Sequence, residues 1–275
     1  MAEQAWASAR WREAVGHGSR GAVARGRAVL DELDPALRHS GDVDARAMRS
    51  LALSTRASWL RQAGRHDFAA GLDGRAAVEV ADQFPSPRPG WARAAVGDAL
   101  VGLAADNLGL GRFDSSSRLL IRAGDVLVGR GENEPASESV DDWLVDGRVV
   151  LRWHWVNAEN ALYRGDADTG RQWAERAANL AAECPSTHHK VKTRLIVAAA
   201  MAAEGDSAAA TERAREVVED ASTAGLLPLQ WAGLQMVVAL SPAGAELARL
   251  NDVTAKLRES GFFRVGISCP AGTAG

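Results

Sequence analysis

At 275 residues with a net charge of −3 and an isoelectric point near 6.1, the chain can bury a sizeable core and has no charge excess that calls for nucleic acid. Its two cysteines, Cys184 and Cys269, lack paired spacing, which excludes a disulfide framework or a zinc site. The longest apolar run, residues 195–203, is too short to span a bilayer.

The first residues, with Glu3 early, do not show the basic-then-apolar design of a signal peptide, so a cytoplasmic protein without membrane attachment is expected. Long segments rich in Ala, Leu and Val follow, without the alternation of strands. Helices are expected over 2–15 and 20–33, with Trp6, Trp11, Val29, Leu30 and Leu33 on buried faces, until Pro35 interrupts. Residues 43–63 and 67–82 form the next two across Gly64. Three closely spaced prolines in 84–90 make a loop. Helices over 91–109 and 114–129 come next, then an acidic stretch, 129–142, expected as a solvated loop. Two more helices lie within 143–183 and end at Cys184-Pro185-Ser186. Segments 188–204, 207–224, 226–240 and 243–259 complete the set, the last two as an apolar closing pair. Residues 1–264 therefore read as one all-α domain and 265–275 as a flexible tail.

The breaks between paired segments share a device. Gly165-Asp166, Gly64 with Asp67, Gly111 with Asp114, and Gly205-Asp206 each place a glycine where a helix must end in the left-handed region. An aspartate follows that can accept a free N–H of the next helix. The glycines recur about every 40 to 54 residues, near the length of helical repeat units.

Residues 100–127 carry a family likeness. Leu100, Leu103 and Ala104 fall on large-large-small positions of a first helix, Gly111 and Phe113 on the turn, and Ser116, Leu120 and Ala123 on small-large-small positions of a second. Ala158, Gly170 and Ala177 repeat the small positions, as do Ala198, Ala210 and Val217, although His154 and Asn157 depart from the pattern. Over roughly 42–224 the chain thus resembles the tetratricopeptide-repeat family. That resemblance implies a right-handed α-solenoid of about six antiparallel helix hairpins, with first helices lining a concave groove.

Arg152, Trp155, Glu159 and Tyr163 lie three, four and four residues apart on one helical face. A cation, two aromatic rings and a carboxylate suit a peptide or a small polar ligand. Trp155 belongs equally to the stripe of Leu151, Ala158 and Leu162, so it faces either groove or core. Lys192 and Arg194, with Arg61 and Gln62, could complete the groove. The family's carboxylate clamp is not matched, because the groove-equivalent positions Asp98, Val101 and Ala105 hold no cation. The nine tryptophans are read mainly as fillers between alanine-rich helices. Adjacent His188 and His189 lack metal-ligand spacing, and no phosphate loop, dinucleotide fingerprint or nucleophile elbow occurs. No cofactor or metal is expected. The leading expectation is a scaffold binding a protein or peptide. A ligand-sensing regulatory domain like the helical sensor regions of bacterial transcription activators is the alternative, and an α/α-toroid enzyme the third.

Overall fold

The computed structural model describes residues 2–38, 40–128 and 143–264. The acidic stretch 129–142 and the tail 265–275 lie outside these residues. Twelve α-helices occur among them: α1 (Ala2–Ser19), α2 (Val23–Leu37), α3 (Val43–Gln62), α4 (His66–Glu79), α5 (Trp91–Gly109), α6 (Phe113–Leu127), α7 (Arg148–Tyr163), α8 (Ala167–Ala182), α9 (Thr187–Ala203), α10 (Ser207–Thr223), α11 (Leu227–Leu240) and α12 (Gly244–Glu259). No strand occurs among the described residues. A π-helical turn, Trp143–Gly147, leads into α7.

The expected turns are present. Gly64, Gly111, Gly165 and Gly205 all have φ between 72° and 93°, the region a side chain penalises. The aspartates divide into two kinds. Asp166 accepts from Thr169 N and Asp206 from Ala209 N, each at 3.0 Å, so each caps its helix as expected. Asp67 and Asp114 instead lie inside the first turns of α4 and α6, and make no capping bond. One boundary differs from expectation: α2 continues through Pro35 to Leu37. The proline sits in the last turn, where Leu33 and Leu37, both buried, continue the apolar stripe that holds the helix on the core.

Adjacent helices pack in pairs, and the odd-numbered helices touch in succession from α1 to α11. Small residues set the spacing: Ala104, Ser116, Ala123, Ala158, Ala177, Ala198 and Ala210 are all buried. Tryptophans fill the gaps this leaves. Trp59 lies against the backbone of Gly18 and Gly26, and Trp11 donates to Thr55 Oγ1 at 2.9 Å. The last pair also meets the first. α11 packs on α1, and Gly21, in the α1–α2 turn, lies against Leu227, Pro228 and Leu257. One apolar cluster accordingly unites Trp11 and Leu30 with Leu234, Leu257 and Phe262. The row of odd-numbered helices returns on itself.

Candidate functional site

Within α5 the sequence places Asp98, Gly102 and Asp106 four residues apart, on one face of a mostly apolar helix. Asp98 is 2% exposed and Asp106 fully buried, as is Asp73 of α4. Carboxylates so enclosed need partners, because an unpaired charge out of water is costly. Asp98 has two. Arg148 donates to it through both terminal nitrogens, at 3.1 and 2.5 Å, and Arg152 Nη1 donates to the same Oδ1. The Arg148 guanidinium also lies 5.1 Å from the Trp11 ring, a cation–π contact with α1. Burial opposes ionisation of Asp98, yet the two arginine charges prevail and hold it below the ordinary carboxylate range.

The second cluster has the reverse stoichiometry. Arg61 Nη1 donates to Asp73 Oδ2 at 2.8 Å, to Asp106 Oδ1 at 2.5 Å and to Gly102 O at 3.1 Å. Gly102 is required for this contact, since a Cβ there would lie 2.3 to 2.6 Å from the Asp73 carboxylate. His66 Nδ1 is 3.9 Å from Asp106 Oδ1. Burial pushes Asp73 up to about 7, against the pull of Arg61 and aided by the negative charge of Asp106.

The residues singled out in the sequence divide among these features. Arg61 and Arg152 are consumed by buried carboxylates. Trp155 takes the core alternative: it is 7% exposed, stacks on His189 with ring centroids 5.6 Å apart, and donates to Thr193 Oγ1 at 3.0 Å. Glu159 and Lys192 do meet, at 3.2 Å across α7 and α9. Arg194 turns instead toward α10, pairing with Asp220 at 2.5 Å. Gln62 is exposed at the end of α3. Tyr163 is 71% exposed at the far end of α7. Asp98, read from the sequence as a groove position, points into the interior. Asp73, Asp98, Asp106 and Arg148 were not singled out as a constellation. The visible signal was two aspartates eight residues apart, with a glycine midway between them, on one face of a mostly apolar helix.

The open surface lies elsewhere, along the turns joining α5 to α6 and α7 to α8. A cleft of about 680 Å³ is lined by Arg112, Phe113, Asp114, Arg118, Tyr163 and Arg164. A smaller one, about 260 Å³, adjoins it through Arg164 and is lined by Ser117, Asn157, Asn160, Thr169 and Trp173. Arg164 Nη1 donates to Asp114 Oδ1 at 2.8 Å and Arg118 to Ser115 Oγ at 3.1 Å. The wider cleft is therefore cationic with exposed aromatic surface. Behind it Trp153, His154 and Trp173 pack edge to face. Burial pushes His154 down to about 4, with Arg176 adding to the shift, so the imidazole is neutral at neutral pH.

Among the described residues no three His, Cys, Asp or Glu side chains gather as metal ligands, and no helix is long and apolar enough to cross a membrane. No family model matches the chain, and no curated protein matches it.

Proposed function

We propose that this chain is a cytoplasmic tetratricopeptide-like interaction module: six antiparallel helix pairs in a right-handed superhelix that captures an acidic protein segment. The small positions that carry the family likeness are buried at helix contacts, which supports the register. One observation carries the choice of surface. Of the four cations that the register assigns to the inner face, Arg61 and Arg152 are held by internal carboxylates, and Lys192 and Arg194 pair with Glu159 and Asp220. Three arginines and an exposed tyrosine instead surround the open cleft between the third and fourth pairs. Tyrosine and arginine are the residue types that dominate binding energy where they can be desolvated. With Asp114 the only carboxylate lining that cleft, its excess of positive charge selects an acidic partner.

Affinity capture from a lysate, read by mass spectrometry, tests this with wild-type bait beside a Tyr163→Ala, Arg118→Glu variant. Both positions are exposed enough for the fold to tolerate the changes. A protein retained by wild type and lost by the variant is the expected result. Equal retention by both baits, or no specific retention, contradicts it.

A ligand-sensing role is the second reading, favoured by the adjoining 260 Å³ cleft. That volume is below the usual range of pockets for drug-sized ligands and suits a small polar molecule held by amides, hydroxyls and an indole. The toroid enzyme gains the contact between first and last pairs. Its carboxylates, however, are sealed from solvent and cannot reach a substrate from where they stand.

A further inference from the structure

We propose that Asp73 and Asp106 together hold one proton, and that this proton is a latch: its loss loosens α4 from α3 and α5. The cluster has one guanidinium for two carboxylates, and both carboxylates use the same nitrogen of Arg61. Arg152 of α7 also feels the charge of Asp73, and three carboxylates face three arginines across the wider network, but no other cation donates a hydrogen bond to the pair itself. On α3 there is only Arg61 itself. On α5 there is Asp98, a further anion. From α7, Arg148 and Arg152 both donate to Asp98. On α4, His66 stands 3.9 Å from Asp106, beyond hydrogen-bonding distance.

The hydrogen-bond inventory shows the same deficit. Asp73 Oδ1 and Asp106 Oδ2 are buried acceptors with no donor within hydrogen-bonding distance, and Arg61 Nη2 and His66 Nδ1 in the same cluster likewise have no partner within that distance. The unpartnered Ser54 hydroxyl is near enough to favour the Asp73 charge without offsetting its burial. Two enclosed carboxylates with unfilled acceptor sites cannot both stay ionised at low cost. A proton on one of them relieves the repulsion between the two carboxylates at Arg61 Nη1 and turns an orphaned acceptor into a donor. Asp73 is the member that burial pushes up, to about 7.

The consequence falls on α4 because that helix has few other anchors. Ala69, Asp73 and Ala76 are its only fully buried residues, and its C-terminal half is tied to α3 by two bonds, Ser50 Oγ to Ala76 O and Arg49 Nε to Glu79 Oε2, each at 2.9 Å, so the N-terminal half depends on the Asp73 seat. Once deprotonated, Asp73 can regain water only by leaving its seat against Gly102. The folded state binds the proton more tightly than an unfolded aspartate does. Docking is therefore strongest below the ordinary aspartate range and weakens as pH rises through about 7.

Two measurements on the full chain test the latch together. The side-chain carboxyl carbon of Asp73, followed by NMR, is expected to titrate near 7. Amide hydrogen exchange in α4, corrected for intrinsic rates, is expected to be about tenfold faster at pH 8 than at pH 6, with α8 unchanged. Asp73→Asn, a permanent mimic of the protonated acid, should abolish the pH dependence of α4. The latch is overturned if Asp73 titrates near 4 with exposed carboxylates, if α4 exchange does not change between the two pH values, or if a folded Asp73→Asn chain keeps the wild-type slope. Should that variant fail to fold, the wild-type titration and exchange decide alone.

Discussion

Asp98 and Glu159 show how differently a carboxylate weighs according to its surroundings. Asp98 is enclosed with Arg148 and Arg152, so Asp98→Ala leaves two guanidinium groups buried without an anion and is expected to cost roughly 3–5 kcal/mol. Glu159 pairs with Lys192 where both side chains keep more than a quarter of their surface in water. Glu159→Gln is expected to change stability by less than about 1 kcal/mol. Urea unfolding of the two variants checks the contrast, and equal effects would refute it. Both residues looked alike in the sequence. Helical spacing put Arg152 and Glu159 on one face, but it could not show that Asp98, more than fifty positions earlier, would claim the arginine. Trp155 was ambiguous for a related reason. Groove and core stripes differ by one residue of register, and only its bond to Thr193 settles which face is inward.

At the level of elements, turn chemistry was the most legible part of the chain, because a glycine with positive φ acts locally and needs no distant partner. The close approach of α4 to α5 was hidden, because it depends on Gly102 accepting a side chain from another helix. This yields a paired expectation. Gly102→Ala drives a Cβ into the Asp73 carboxylate and should destabilise the chain by about 1–3 kcal/mol. Gly74→Ala, in α4 with nothing within 4 Å of the added atom, should stabilise it by about 0.5–1 kcal/mol through backbone entropy alone. Thermal unfolding of both variants measures this, and a neutral Gly102→Ala would show that Asp73 is not seated as described. Pro35 carries the opposite lesson. A proline cost that reads as decisive in sequence is absorbed in the last turn, where apolar contacts on the core continue past it.

For the whole molecule, the buried titratable groups act in opposite directions with pH. His154 and His188 are pushed by burial from 6.5 down to about 4. The unfolded chain thus takes up protons first, and stability falls as pH drops from 6.5 toward 4. Asp73, raised to about 7, removes stability as pH climbs through that value. The melting midpoint is expected to peak between pH 6 and 7 and to decline on both sides. A midpoint still rising at pH 8 would contradict the Asp73 contribution. The meeting of α11 with α1 was not foreseeable from local pattern, because it depends on the summed rotation of every helix pair. It also bears on the proposed function, since an inner row that returns on itself and holds its own ion pairs is the reason a partner is proposed at the turn edge. The most direct measurement adds a third bait to the affinity capture, with the inner pair exchanged as Glu159→Arg, Lys192→Glu. This bait is expected to keep the partner that the Tyr163→Ala, Arg118→Glu bait loses. Loss by the inner-pair bait with retention by the cleft bait would contradict it and return recognition to the concave face.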